Sequence, residues 1–316
     1  MLSDNQLMSG VSGGRDLALG HLLALFTVVV WGVTFVSTKV LLEVLTPVEI
    51  LCVRFVLGYL FLWVLWPRRL TRRLVAREEL YFFFAGLTGI CLYYLAENVA
   101  LVFTRASNVG VIVCLSPFFT ALLGKLTGSR EPLDGWFFLG LALSLAGVGL
   151  ICWGGEEGVE FNWKGDLLAA TAGLIWAAYS ILVKRITSLG FPALPVTRRI
   201  FFWGIICMIP VAAYDGFDVS IDELLIPTVG GNLVFLSFIA SGLCFVFWSM
   251  TVKLLGAVAS TVYIYLIPVV TVATAIVVLG EPLTVFIVVG MLLVIAGLVC
   301  AQAACPIIAW LRRRSK

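Results

Sequence analysis

Long apolar runs, separated by short polar segments, recur along the whole chain. A helix needs about 20 apolar residues to cross a bilayer core of about 30 Å, and runs of that length predict membrane-spanning helices. The runs are continuously apolar, whereas barrel strands alternate between apolar and polar positions. The sequence therefore predicts an all-α integral membrane protein with ten transmembrane helices, at residues 18–40, 47–66, 80–100, 104–126, 133–153, 165–187, 196–214, 229–251, 255–279 and 283–304.

The composition supports this interpretation. Of 316 residues, 61% are hydrophobic and only 12% are charged, whereas soluble domains carry about 25% charged residues. So few charges cannot cover a water-exposed surface, which excludes a soluble enzyme, a disordered chain and a secreted disulfide scaffold. The 8 cysteines include no CxxC pair, which argues against a zinc site or a disulfide framework.

Lysine and arginine are distributed unevenly between alternate loops. If the N-terminus is cytoplasmic, the inner segments hold 16 of the 21 basic residues and the outer segments hold three, Lys39, Arg105 and Lys164. Basic residues concentrate on the cytoplasmic side of membrane proteins. We therefore expect both tails, residues 1–17 and 305–316, to be cytoplasmic, and the linker 154–164 to lie outside.

The second half of the chain repeats the first. Residues 20–39 align with residues 165–184 at a constant offset of 145, and matches continue at offsets of 151 and 150. The rarer matched residues are Trp31 with Trp176, Lys39 with Lys184, Pro47 with Pro192, Arg54 with Arg199, Pro117 with Pro268, and Glu131-Pro132 with Glu281-Pro282. This pattern predicts two five-helix repeats, at residues 18–153 and 165–304.

Five crossings per repeat would make the second repeat enter the membrane from the opposite side. Inverted repeats are typical of secondary transporters, in which two arrangements around one midplane site open alternately to each side. The repeat therefore predicts alternating access.

Polar and aromatic residues at helical spacing mark the expected site. Tryptophan usually lies at the membrane interface, whereas Trp31 and Trp176 fall near mid-span; lining a cavity and packing in the core are both open to them. The candidate cavity residues are Trp31, Thr34, Tyr94, Glu97, Asn98, Asn108, Ser116, Trp176, Tyr179, Ser180, Trp248, Ser260 and Tyr263.

Glu97 is the acidic residue inside the third predicted helix. A carboxylate costs about 2.5–3.5 kcal/mol at a helix centre and less near the interface, so its presence needs a reason. Glu97 could bind a substrate ammonium or accept a proton. Alternatively, it forms a structural ion pair with Arg54 or is simply exposed.

Two prolines, Pro117 and Pro268, occupy matching places in the repeats. Proline inside a helix removes one backbone hydrogen bond and bends the helix. Both are candidate hinges, and static kinks are the alternative. The glycines of the fifth and tenth helices indicate close helix packing.

Several short motifs follow one another in order. They are Trp31-Gly32, Arg54-Phe55, residues 100–108 with 115–123, Arg130-Glu-Pro-Leu133 and Gly280-Glu-Pro-Leu283. Over residues 18–304 the chain resembles the drug/metabolite transporter superfamily, specifically its ten-helix EamA type. The resemblance implies an inner-membrane carrier, often an exporter of amino acids or other small metabolites, with a cavity between helices 1, 3, 4, 6, 8 and 9. Glu97-Asn98 departs from the uncharged residues of many members.

We therefore expect a non-enzymatic secondary transporter of the bacterial inner membrane, exporting a neutral or zwitterionic small molecule. An uptake carrier, a membrane sensor and an intramembrane enzyme are the alternatives, but an enzyme of this kind needs paired acids or histidine clusters for metal or diphosphate, and the chain has 1 His. No P-loop occurs, so a gradient must drive transport, and Glu97 is a candidate for proton coupling. We expect no cofactor, no metal and no nucleic-acid partner.

Overall fold

The computed structural model describes residues 14–67, 70, 74–126, 135–153, 162–187, 189–255, 263–264 and 266–302. Regular structure in these ranges is helical, as predicted. The main helices are α1 (Gly14–Leu41), α2 (Pro47–Leu65), α3 (Ala76–Phe103), α4 (Ala106–Leu126), α5 (Gly135–Trp153), α6 (Trp163–Thr187), α7 (Ala193–Asp215), α8 (227–255), α9 (Ile267–Leu279) and α10 (Val285–Gln302), with a short helix Ile221–Leu225 before α8.

Seven of the described helices are long and apolar enough to cross a membrane: α1, α2, α3, α4, α6, α7 and α8. The apolar parts of α5, α9 and α10 are shorter within the described residues. Large apolar side chains remain exposed on the outward faces, for example Leu22, Val64 and Val277. Because water would not tolerate so much exposed apolar surface, these faces contact lipid in a multi-pass membrane protein.

Some helix ends differ from the sequence prediction. Helix α3 begins four residues earlier and ends three residues later than the predicted 80–100. The predicted helix 255–279 is described only in part, because residues 256–262 lie outside the described ranges. The division into ten transmembrane segments therefore stays a prediction.

Local sequence signals set several helix ends. Thr46 and Glu49 form a capping box at the start of α2, where each side chain accepts a backbone N–H from the other residue, at 3.3 and 2.7 Å. Such reciprocal caps satisfy N–H groups that have no partner within the helix. Helices α7 and α9 end at Gly216 (φ 80°) and Gly280 (φ 65°), left-handed positions that favour glycine.

The helix pairs that join the two predicted repeats are unchanged when the repeats are exchanged. Helix α1 packs against α8 and α9, while its counterpart α6 packs against α3 and α4. Likewise, α2 packs against α8, and α7 against α3. The pairs α2 with α7 and α5 with α10 map onto themselves. The two halves of the chain therefore make the same set of contacts with each other.

Two glycines that match in the repeats, Gly20 and Gly165, make equivalent close contacts with the other repeat. A Cβ placed on Gly20 would lie 2.7 Å from Leu255 Cδ2, and one on Gly165 would lie 2.8 Å from Thr104 Cβ. Gly20 aligns with Gly165, and Thr104 aligns with Leu255. Only glycine allows the start of α1 to approach the end of α8 this closely, and the start of α6 to approach the end of α3 in the same way.

The closest helix pair is α5 with α10. A Cβ on Gly147 would lie 2.5 Å from the carbonyl oxygen of Gly290, and a Cβ on Gly297 would overlap the carbonyl of Gly140 and the hydroxyl of Ser144. Small residues let helix backbones approach in a membrane. The close packing that the glycine pattern predicts is present.

Two π-helical segments occur at matching places. One spans Leu87–Leu92 within α3, and the other spans Phe235–Leu243 within α8. At the repeat offset of 151, residues 87–92 align with residues 238–243. In the first segment, Gly89 leaves room for the ring of Tyr179 from α6. Such segments are uncommon and often occur at functional sites.

Both candidate hinge prolines lie in the first turn of a helix. Helix α4 is interrupted by a turn at Cys114–Leu115 and resumes at Ser116, so Pro117 is the second residue of its second half. Pro268 is the second residue of α9. The N–H that proline lacks would have no partner within the helix at this position. Each proline thus marks a helix start, and its action as a hinge stays a prediction.

Candidate substrate site

Aromatic side chains from both predicted repeats meet where α1, α3, α6 and α8 pack together. The ring of Trp31 lies 6.1 Å from that of Trp176 and 5.3 Å from that of Trp248, while Trp176 lies 4.8 Å from Tyr93. Edge and tilted ring contacts at these distances are favourable. We call this set the aromatic cluster; it comprises Trp31, Tyr93, Tyr94, Trp176, Tyr179, Phe245 and Trp248.

The hydroxyl groups expected beside the tryptophans bond to their own helices. Thr34 Oγ1 donates to the carbonyl of Trp31 at 2.6 Å, and Ser180 Oγ donates to that of Trp176 at 2.9 Å. The indole N–H of Trp31 donates to the carbonyl of Ala240, in the π segment of α8, at 3.2 Å. The cluster is thereby fixed to both repeats.

Arg54 on α2 lies beside the cluster and is 1% exposed. Its Nε donates to Ser241 Oγ at 2.7 Å. Its guanidinium carbon lies 4.4 Å from the centre of the Tyr94 ring and 5.3 Å from that of Phe55, which is a cation–π geometry. The two terminal nitrogens have no hydrogen-bond partner among the described residues.

Two polar residues of α3 complete this region, and each is 1% exposed. Glu97 lies one helical turn after Tyr93, and its Oε1 has no hydrogen-bond partner among the described residues. Asn98 Nδ2 donates to the carbonyl of Pro47 at 3.1 Å, and its Oδ1 is similarly unpartnered within the described part of the chain.

Arg54 and Glu97 are near enough to interact electrostatically. Among the described residues, neither the terminal nitrogens of Arg54 nor Oε1 of Glu97 has a hydrogen-bond partner. The Arg54–Glu97 ion pair, one of the alternatives that the sequence left open, stays a prediction. The structure buries both groups, with Arg54 against the ring of Tyr94 and Glu97 three residues after Tyr94 on α3.

Other predicted site residues lie apart from the cluster. Asn108, near the start of α4, donates to Thr104 Oγ1 at 3.3 Å, and Ser116 is buried at the interruption of α4. Ser260 lies outside the described residues.

Tyr263 contacts the N-terminal part of α1, away from Trp31. Its hydroxyl lies 2.6 Å from Nδ1 of His21. His21 precedes Trp31 by ten residues, which is about 15 Å along a helix. The structure therefore brings Tyr263 to a helix end and leaves it out of the aromatic cluster.

The sequence interpretation missed several residues of this region. Ser241 holds Arg54, and Phe245 lies 5.8 Å from Trp31. Phe245 aligns with Tyr94 at the offset of 151, so the repeat contained a signal for it. Ser241 had a weaker signal, as a hydroxyl within an apolar run.

The Glu-Pro-Leu motif before α10 has a structural role that the sequence did not reveal. The carboxylate of Glu281 accepts hydrogen bonds from the backbone N–H of Ala106 at 2.9 Å and of Ser107 at 3.3 Å, and from Ser107 Oγ at 2.5 Å. An anion at a helix N-terminus is stabilising. Nearby, Lys39 donates to the carbonyls of Leu101 and Thr104 at the end of α3.

Comparison with known proteins agrees with this architecture. The sequence model of the EamA-like transporter family matches twice, over residues 18–153 and 163–301. An uncharacterized transporter of Archaeoglobus fulgidus is 30% identical over 289 residues, covering 90% of this chain and 97% of the relative. A probable amino-acid metabolite efflux pump of Escherichia coli is 27% identical over 286 residues, covering 87% and 92%.

A solved crystal structure shares the fold, with a TM-score of 0.63 at 18% identity over 95% of this chain and 99% of the other. Both predicted repeats are matched separately by the family, and the boundaries agree with those of the duplicated helices. The chain therefore belongs to the EamA-like transporter family of the drug/metabolite transporter superfamily, and it is a multi-pass membrane transporter.

Proposed function

We propose that the protein is a secondary transporter that exports amino acids or related small metabolites by alternating access. Its two repeats, inverted relative to each other, would rock around the aromatic cluster. The observation that carries this proposal is the reciprocal packing, in which α1 with α8 and α9 is matched by α6 with α3 and α4.

Reciprocal packing supports two conformations of similar energy. If each repeat can adopt the arrangement that its partner now has, exchanging those arrangements yields a second state with an equivalent set of contacts. A ligand that binds both states can then be carried between them. The related repeat of five helices favours inversion, because an odd number of crossings reverses the direction of entry.

The composition of the site favours a neutral or zwitterionic substrate. One cation, Arg54, and one carboxylate, Glu97, are buried beside the aromatic cluster, so their formal charges balance. The relatives from Escherichia coli and Salmonella typhimurium carry the name of probable amino-acid metabolite efflux pumps, which supports the same class. A gradient would supply the driving force, and Glu97 remains the candidate for proton coupling.

The charge distribution supports the proposed location. With 16 of 21 basic residues in the segments assigned to the inside, the positive-inside tendency favours two cytoplasmic termini in the bacterial inner membrane.

Reconstituted flux tests the proposal. Proteoliposomes loaded with a panel of labelled amino acids and other small metabolites should release at least one of them saturably. Protein-free liposomes loaded in the same way should not. Absence of flux for the whole panel, with hydrolysis of a lipid-like substrate instead, would favour an intramembrane enzyme.

A further inference from the structure

We propose that Arg54 and Glu97 form a clamp for the two charges of a zwitterion. The terminal nitrogens of Arg54 would bind the ligand's carboxylate, and Glu97 Oε1 with Asn98 Oδ1 would accept hydrogen bonds from its ammonium. The apolar body of the ligand would pack against the aromatic cluster. The inference rests on the proposed transport function and names the substrate chemistry of that site.

The contacts of Arg54 leave one edge of its guanidinium available. Nε donates to Ser241 Oγ at 2.7 Å, and the guanidinium carbon lies 4.4 Å from the centre of the Tyr94 ring. The remaining edge carries both terminal nitrogens, which have no hydrogen-bond partner among the described residues. Two parallel N–H groups in one plane match the two oxygens of a carboxylate.

The contacts of α3 leave acceptors available in the same way. Oε1 of Glu97 is buried and has no hydrogen-bond partner among the described residues. Asn98 Nδ2 donates to the carbonyl of Pro47, whereas Oδ1 of the same amide has no hydrogen-bond partner among the described residues. Both atoms are hydrogen-bond acceptors, and an ammonium group offers three donors and no acceptor.

Tyr94 joins the two halves of the clamp. It stacks on Arg54, and it precedes Glu97 by three residues on α3, a spacing that places side chains on one helix face about 5–6 Å apart. Tyr94 therefore contacts Arg54 and shares a helix face with Glu97, which brings the two charged groups into one region.

Charge balance explains why both ends of the ligand are required. Buried polar groups are almost always hydrogen bonded, and a buried charge is costly unless it is paired. A zwitterion would satisfy Arg54 and Glu97 together and add no net charge. An amine or an acid alone would leave one of the two charges without its partner.

Three probes with one apolar body test the clamp: phenylalanine, 2-phenylethylamine and 3-phenylpropionate. A second series, leucine, isoamylamine and isocaproate, covers an aliphatic body. Binding to the purified full-length protein is measured by calorimetry. We expect at least one zwitterion to bind, and its single-charge analogues to bind about ten- to a hundredfold more weakly, the range for one charged hydrogen-bonded group.

Each variant should relax the requirement for one charge. Arg54→Gln should weaken zwitterion binding about ten- to a hundredfold and leave amine binding unchanged or improved. Glu97→Gln should weaken zwitterion binding by a similar factor and leave binding of the acid unchanged or improved. The matched control is Arg199→Gln. Arg199 is the repeat equivalent of Arg54, but it pairs with Glu79 at 2.6 Å, and its loss should leave the order of the ligands unchanged.

Three results would overturn the clamp: wild-type protein that binds none of the six probes, single-charge analogues that bind as tightly as the zwitterions, or variants that weaken the binding of all probes equally.

If Arg54→Gln does not fold, Arg54→Lys keeps the charge without the paired nitrogens and should still weaken binding of the zwitterion. Probe binding with the expected pattern but without flux would refute transport and leave the clamp. Flux of another solute, insensitive to both variants, would refute the clamp alone.

Discussion

At the scale of single residues, the site is defined by charges that the membrane makes costly. Arg54 and Glu97 are each 1% exposed, and an ionisable group inside a membrane usually marks a functional pathway. The rings of Phe55 and Tyr94 lie 5.3 and 4.4 Å from the guanidinium carbon of Arg54. Because an aromatic ring attracts a cation, these contacts stabilise the buried guanidinium of Arg54.

A conservative change at Glu97 separates function from folding. Glu97→Gln keeps the size and shape of the side chain, and an amide costs less to bury than a carboxylate. We expect an unchanged amount of folded protein and a flux reduced about tenfold or more, since a charged hydrogen bond contributes about 1.5–3 kcal/mol. Flux per folded molecule in proteoliposomes, with abundance from size exclusion, gives both quantities.

The control is Glu79→Gln, which removes a carboxylate bonded to Arg199 and Trp203 at another place on α3. This variant should keep its flux per folded molecule. If Glu97→Gln and Arg54→Gln both lower only the amount of folded protein, a structural ion pair is the better explanation.

At the scale of helices, a contact between the predicted repeats caps the start of one helix. Glu281 precedes α10 and bonds three donors at the start of α4, so the second repeat caps a helix of the first.

Removing this cap should weaken the fold. We expect Glu281→Ala to lower the free energy of unfolding by about 1–2 kcal/mol, the usual effect of losing a helix cap, because three donors lose their acceptor. Thermal unfolding in detergent, followed by intrinsic tryptophan fluorescence, measures the change. Glu43→Ala is the control, since Glu43 is an exposed carboxylate in the turn after α1. Equal midpoints for the two variants would show that the cap does not stabilise α4.

The α5–α10 contact offers a matched pair of glycines on one helix. Gly147→Ala would press a Cβ against the Gly290 carbonyl, whereas a Cβ on Gly149 meets no atom within 4 Å among the described residues. Overpacking costs about 1–3 kcal/mol, so Gly147→Ala should lower the melting midpoint. Gly149→Ala should leave it unchanged or raise it, because alanine favours helix. The same loss in both variants would contradict the close packing.

At the scale of the whole molecule, the sequence predicted the helices and the repeat better than the contacts between them. Apolar runs locate helices because the bilayer imposes a minimum helix length. Rare residue types that match at the repeat offset, such as Trp31 and Trp176, reveal the duplication. The π segments could not be predicted, since they depend on packing such as that of Tyr179 against Gly89. The bonds of Ser241 and Glu281 reach partners more than 170 residues away, and no local pattern encodes such partners.

The same scale explains which candidate residues the structure separated. Tyr263 and Asn108 share the polarity of the cluster residues, yet they lie near helix ends, bonded to His21 and Thr104. Polarity within an apolar run identified residues that form hydrogen bonds. Their position along the helix decided which of them lie at the aromatic cluster.

Opposite orientation of the two repeats is the claim on which alternating access depends, and equivalent positions test it directly. Leu17 in the first turn of α1 aligns with Asn162 just before α6 at the offset of 145. In a background without native cysteines, Leu17→Cys and Asn162→Cys are labelled with a membrane-impermeant maleimide in intact cells and in inverted vesicles. We predict that Asn162→Cys is labelled in cells and Leu17→Cys only in inverted vesicles; labelling of both from the same side would contradict the account.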